Sequence, residues 1–249
     1  MIAPVVLFDV FGTLLDLDDE DTDFAVHQRF CEWLSYHGVF MRPEVSQRRF
    51  FEIIAATVAR QTGEHPDCDI TEVFLQLLSE AVRSRDCQPD KLVKEAAVTF
   101  RWLATRSLVE VSGMKDVLIN VGTWARLGIA SNTQRAYTEA ELRRFDLLAP
   151  FEHIVFSSDV LARKPDPRVF DKAVDLFGTS RSRVIHVGDD LLDDIHGARR
   201  AGIRAVLLER SVAPKHPELR DLETADARVP DSHISMLPEV LRALAEDIA

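Results

Sequence analysis

Cysteine is scarce. Cys31, Cys68 and Cys87 are the only three in 249 residues, and no C-x-x-C spacing occurs. An odd count without paired spacing excludes a disulfide framework and argues against a zinc centre. It points instead to reduced, structural thiols in a cytoplasmic protein. Long apolar runs are missing too, since none approaches the ~18 residues of a membrane span. The first ten residues, MIAPVVLFDV, carry no basic residue ahead of the apolar stretch and reach an acid at Asp9. They read as a strand rather than as a signal peptide. Basic charge is in deficit, with 30 Lys+Arg against 41 Asp+Glu and a formal net charge of −11. A polyanion such as nucleic acid would be repelled. No internal repeat or low-complexity tract is present.

What is there is an ordinary globular composition, 46% hydrophobic and 29% charged, with ample apolar material to bury. At ~150 residues per domain the length allows one large domain or two small ones. Short Val/Ile/Leu-rich runs, apolar on both faces and closed by turn residues, mark buried parallel strands. They lie at residues 2–8, 128–130, 154–156, 184–187 and 204–208. Helical spacing fills residues 114–127, 136–145, 167–177 and 192–201. This alternation predicts a doubly wound, Rossmann-like α/β core with a parallel sheet. Residues 16–106 read differently, as four or five helices with no strand, broken near Gly38, Pro43, Thr62-Gly63, Pro66 and Pro89. The expected organisation is therefore a core of residues 1–15 and 107–249 with a helical cap of residues 16–106 inserted after the first strand. The acidic stretch 16–23 reads as a solvated linker and helix start, residues 211–230 as a polar loop, and residues 236–248 as a closing amphipathic helix.

In an open α/β sheet, ligands bind beyond the carboxyl ends of the strands. There the sequence places Asp9, then Ser131 and Asn132, then Asp189 and Asp190, with Lys164 in the loop after the third strand. Hard carboxylate oxygens suit Mg²⁺. A lysine offsets charge on a nucleophile and on a transferring group. Ser and Asn, or a backbone N–H, bind phosphate-like oxygens, and an aspartate can itself be a covalent nucleophile.

In order, Asp9-Val10-Phe11-Gly12-Thr13, Ser131-Asn132-Thr133, Lys164-Pro165-Asp166-Pro167 and Gly188-Asp189-Asp190-Leu191-Leu192-Asp193-Asp194 resemble the four motifs of the haloacid dehalogenase superfamily. The helical insert is similar to that superfamily's mobile cap in its C1 position. The resemblance implies that Asp9 is the nucleophile. Asp9, the Phe11 carbonyl and Asp189 would surround Mg²⁺, with Asp190 or Asp194 orienting metal-bound waters. Ser131 and Asn132 would bind the transferring group, Lys164 would stabilise it, and Gly12 would make the turn beside it. Phosphatases of the superfamily resemble this pattern with a second Asp at the position of Phe11, which cannot transfer a proton. An aromatic there resembles the 2-haloacid dehalogenase branch, whose last motif is less acidic than Gly188-Asp189-Asp190. The expected activity is Mg²⁺-dependent hydrolysis of a small anionic phosphate ester. The alternatives are metal-free dehalogenation at Asp9 and a non-catalytic anion-binding relative.

Other residues carry structural expectations. Asp193 is expected at the surface, and Ser158 and Asp159 in a cap or turn. His186 is expected as a core histidine with its polar groups satisfied, and His196 in a packing role. His27, His37, Arg42 and Arg60 are expected on solvated helix faces, and Trp33, Trp102 and Trp124 in cores.

Overall fold

The computed structural model describes residues 3–84, 88–211, 216 and 224–247. The predicted Cys87, the start of the first strand at Ile2, most of the 211–230 loop and the last residues of the closing helix lie outside them. Among the described residues ten strands are formed: Val5–Phe8 (β1), Leu15–Asp19 (β2), Val39–Phe40 (β3), Val82–Arg83 (β4), Thr105–Glu110 (β5), Arg126–Ser131 (β6), His153–Phe156 (β7), Val184–Gly188 (β8), Arg204–Glu209 (β9) and Ala227–Pro230 (β10). Among them run Phe24–Tyr36 (α1), Pro43–Val58 (α2), Ile70–Glu80 (α3), Pro89–Ala104 (α4), Met114–Val121 (α5), Arg135–Arg144 (α6), Ser157–Val160 (α7), Arg168–Phe177 (α8), Gly197–Arg200 (α9) and Leu237–Glu246 (α10).

Six strands form one parallel sheet in the order β10-β9-β8-β1-β6-β7. The chain turns to opposite sides of β1 to build β6 and β8, which opens a crevice at the carboxyl ends of these three strands. Phe8 pairs with Ile129 of β6 and Val187 of β8. Their C-terminal residues therefore arrive side by side. Val5, Val6, Leu7 and Phe8 are all fully buried, as a central strand covered on both faces requires. One face packs on Met114, Leu118, Leu237 and Leu241. The other packs on Val169, Phe170, Ile195 and Ala198.

Helices α1 to α4 gather around a separate cluster that includes Phe30, Phe50, Phe74 and Phe100. Each such ring is worth ~1.5–3 kcal/mol when buried, so the four helices hold together without a sheet beneath them. Pro43 and Pro89 occupy first helical positions, and Asp23 and Asp69 cap α1 and α3 through bonds to Ala25 N and Thr71 N.

Four expectations about elements need correction. Residues 16–106 do contain strand. Leu15–Asp19 pairs antiparallel with Thr105–Glu110; Leu15 and Leu17 do alternate with acids, but the run is short and rich in Asp, which is depleted in strands. Short β3 and β4 also pair. The helix expected over 114–127 stops at Val121, where Gly122 caps it and frees Arg126 to begin β6. The helix expected over 192–201 opens as a π-helical turn, Leu191–His196, before α9. Within the expected loop 211–230, Ala227–Pro230 joins the sheet as its edge strand. The acidic stretch is also less free than expected, since Asp16 pairs with Arg210 and Asp19 with Arg101.

Trp102 is exposed rather than in a core. His27 is wholly buried rather than on a solvated face. Its ring lies edge-on to Phe100 at 5.1 Å and Phe50 at 5.8 Å, with Ser46 Oγ at 3.2 Å and the Asp21 carbonyl at 3.3 Å. Burial lowers its pKa against the opposing pull of that carbonyl. The unfolded chain therefore takes up this proton first, beginning near the ordinary value of about 6.5, and stability is lost as pH falls below it. Urea midpoints should decline between pH 7 and pH 5, and His27→Gln should flatten part of that decline. An identical slope in wild type and variant would refute the assignment.

Candidate active site

The four predicted motifs meet at the crevice. Asp9 follows β1 and is buried. Lys164, from the loop between α7 and α8, is wholly enclosed. Its ammonium donates to Asp9 Oδ1 at 2.6 Å, to the Ala130 carbonyl at 3.0 Å, and to Asp194 Oδ1. All three ammonium protons are thus engaged. Burial opposes the charge on Lys164, but the two carboxylates prevail and hold its pKa well above the ordinary lysine value. Burial pushes the Asp9 carboxyl up, against the pull of the same ammonium. Burial also opposes ionisation of Asp194, yet Lys164 and the hydrogen bond from His186 keep it below the usual carboxylate range.

The sequence had left Asp190 and Asp194 equivalent, and the structure separates them. Asp190 Oδ1 accepts from Leu192 N at 2.8 Å and Asp193 N at 2.9 Å, so it caps the helical turn. Asp194 reaches back to the reactive centre. One oxygen of each of Asp9, Asp189 and Asp194 lies within 4.8 Å of the others. Two glycines make this approach possible. A Cβ on Gly12, whose φ is +88°, would lie 2.2 Å from Asp189 Oδ2, and one on Gly188 would lie 2.1 Å from Asp194 Cγ. Only hydrogen fits at either position.

The Ser131 hydroxyl sits at the end of β6 with no protein hydrogen bond among the described residues. The Asn132 side chain bonds within the protein. Its Oδ1 accepts from Lys164 N at 2.7 Å, and its Nδ2 donates to the Lys164 carbonyl at 3.1 Å and to Asp193 Oδ2 at 2.9 Å. The side chain thus clamps the Lys164 loop. Phe11 packs partly into the sheet core, with the Arg101 guanidinium over its ring at 5.2 Å.

Asp193 and Arg101 escaped the sequence reading, and of His186 only the identity of its partner did. Asp193, expected at the surface, is half-buried, and burial together with the neighbouring acids pushes its carboxyl up to about 6 against the pull of Lys164. His186 is buried as expected, but its Nε2 holds Asp194 Oδ1 at 2.8 Å. A histidine on a fully buried strand needs a polar partner, and that was the available signal. Arg101 also reaches Phe11 from α4, far away in sequence. Ser158 and Asp159 serve as expected, accepting from Arg135 N and Phe156 N.

The sequence matches the profile of the haloacid dehalogenase-like hydrolases over residues 6–208. A glyceraldehyde 3-phosphate phosphatase of Methanopyrus kandleri is 35% identical over 247 residues, covering 97% of this chain and 98% of its own. Other matches are partial. A phosphoserine phosphatase of Thermus thermophilus is 40% identical over 79 residues, 31% of this chain and 32% of its own. The haloacid dehalogenase-like hydrolase domain-containing protein 3 of Danio rerio is 37% identical over 110 residues, 41% of this chain and 45% of its own. Among solved structures, a 2-haloacid dehalogenase of Pseudomonas syringae superposes with a TM-score of 0.68 at 22% identity, covering 97% of this chain and 99% of that one. That likeness concerns the fold. No described helix is long and apolar enough to cross a membrane.

Proposed function

We propose that this chain, which belongs to the haloacid dehalogenase-like hydrolase family, is a Mg²⁺-dependent phosphatase that transfers the phosphoryl group of a small monoester to Asp9. The observation that carries the proposal is the convergence of Asp9, Asp189 and Asp194 around one lysine. Three carboxylates against a single ammonium leave a negative excess, which a divalent cation with a preference for hard oxygen donors would offset. Asp9, Asp189 and the Phe11 carbonyl would hold it, with Asp194 beside them. When bound, Mg²⁺ neutralises charge on the phosphoryl oxygens. A metal-free site of this charge would repel the carboxylate of a 2-haloacid.

The chain's own residues then have distinct tasks. An Asp9 oxygen attacks phosphorus as the bond to the leaving oxygen breaks, giving an aspartyl phosphate that water later hydrolyses. Lys164 stabilises charge on the nucleophile and on the transferring group. The Ser131 hydroxyl and the Asn132 backbone N–H receive phosphoryl oxygens, while the Asn132 side chain keeps Lys164 in position. The helical residues 16–106 act as a cap that closes over the substrate and excludes water from the first step. Phe11 supplies no proton, so a leaving alkoxide takes its proton from water or another residue, whereas nitrophenolate departs without one. The phosphatase names of the Methanopyrus and Thermus relatives support the same reading, and the buried thiols of Cys31 and Cys68 suit a reducing cytoplasm.

Stopped-flow release of nitrophenolate from p-nitrophenyl phosphate tests the proposal. With Mg²⁺ the first turnover should be fast and later ones limited by hydrolysis of the adduct, giving a burst. EDTA should abolish both phases. No release under either condition, with EDTA-insensitive halide release from a 2-haloacid, would establish the dehalogenase chemistry to which an aromatic Phe11 is suited.

A further inference from the structure

A second cavity, of about 190 Å³, lies between helices α2, α3 and α4 and the start of α6. None of the reactive-centre side chains lines it, but three of its wall segments neighbour that centre. Phe11, two residues after Asp9, lies under Arg101 of the cavity wall. Gln134 and Tyr137 of the wall lie two and five residues after Asn132. The Asp67 segment is stitched to the Lys164 loop by backbone bonds from Asp67 N to the Leu161 carbonyl at 3.1 Å and from Arg163 N to the His65 carbonyl at 2.8 Å. A group attached to a phosphate at Asp9 would extend into this space. At this size it suits a few heavy atoms, well short of the ~300–1,000 Å³ that larger ligands occupy.

The lining has a definite chemistry. Phe50, Phe74, Phe100 and Tyr137 supply aromatic walls, and Asp19, Asp21 and Asp67 supply three carboxylates against the single guanidinium of Arg101. That guanidinium is already matched, by Asp19 and by Glu141 Oε1 at 2.7 Å. Asp21 and Asp67 form no ion pair among the described residues, although Asp67 accepts from Cys68 N at 2.9 Å and from Ser157 and feels Arg163, and Asp21 feels Arg101. Burial pushes the Asp67 carboxyl up, which a bound cation would reverse. The buried Arg101 Nη2 has no hydrogen-bond partner and offers one donor to an oxygen of the same ligand. Carboxylates in excess beside aromatic faces attract an organic cation. They disfavour a second anionic group.

We propose that the substrate is a phosphate monoester whose alcohol carries a protonated amine, seated against Asp67, Asp21 and the aromatic walls of this cavity. The proposal rests on the phosphatase reading of the adjoining site. The test compares phosphoethanolamine with n-propyl phosphate, which replaces the ammonium by a methyl group. The wild-type enzyme should favour the amine about tenfold or more in kcat/KM, the scale of one desolvated cation–aromatic contact. Asp67→Asn should move that ratio toward unity, whatever it does to the absolute rates. A wild-type ratio at or below unity, or a ratio unchanged in both Asp67→Asn and Asp21→Asn, would overturn the proposal. Failure of the phosphatase reading is recognised separately, as no hydrolysis of p-nitrophenyl phosphate. In that event titration calorimetry of the two esters on Mg²⁺-treated Asp9→Asn protein reads the same ratio as dissociation constants, and equal affinities refute the amine site.

Discussion

Asp9→Asn should abolish p-nitrophenyl phosphate turnover by on the order of 10⁴-fold or more, the scale of losing one member of a cooperating catalytic set. The amide is nearly isosteric with the carboxylate and its oxygen can still accept from the Lys164 ammonium, which lies 2.6 Å from Asp9 Oδ1. It lacks the anionic oxygen that must form the bond to phosphorus. The loss should therefore fall on kcat, with KM changed much less. The covalent step gives a second readout. Acid-quenched wild-type protein should carry a phosphoryl adduct by intact mass, and the variant none. Thermal melting separates this from misfolding, because Lys164 keeps Asp194 as a charged partner. Turnover within tenfold of wild type, or an adduct on the variant, would remove Asp9 from the role of nucleophile.

Much of this centre was legible because parallel strands state their position plainly. Residues 5–8, 126–131 and 184–188 are apolar on both faces and end in residues with no business in a core. An open sheet brings such ends together. The sequence could not reveal where side chains go once the loops close. Asn132 bonds to the main chain of a residue 32 positions away, and nothing in the local pattern names that partner. Asp193 looked solvated because it sits among acids, yet the π-helical turn swings it toward Asn132. The pairing of β2 with β5 joins segments about ninety residues apart, and β2 is a short, Asp-rich run with low strand propensity. Packing of α4 places Arg101 between Glu141, Asp19 and the rings of Phe11 and Tyr137, partners that no local pattern names.

Lys164→Met should be the most destabilising single change in the core. Methionine keeps the apolar stem but removes all three N–H donors, stranding Asp9 and Asp194, whose only other close cationic candidate among the described residues is His186. Removing one partner of a buried ion pair costs about 3–5 kcal/mol, and both carboxylates here lose the same ammonium. The pH dependence follows from the shifts. In the wild type, Lys164 and His186 hold Asp194 below its ordinary value despite burial. That contribution is present above the unfolded carboxylate pKa of about 3.9 and is lost as pH falls through the folded value. In the variant, burial is unopposed by the ammonium, so both folded carboxylate pKa values rise above the unfolded one. The native state then gains protons on acidification, and the penalty shrinks below neutral pH. Urea midpoints of wild type and variant should accordingly lie far apart at pH 7.5 and converge toward pH 4.5. The gap at pH 7.5 should be wider in EDTA than in Mg²⁺, because a divalent cation on Asp9, Asp189 and Asp194 would return part of the lost positive charge. A gap independent of both pH and Mg²⁺ would mean that Lys164 acts through packing alone and that these carboxylates form no cation site.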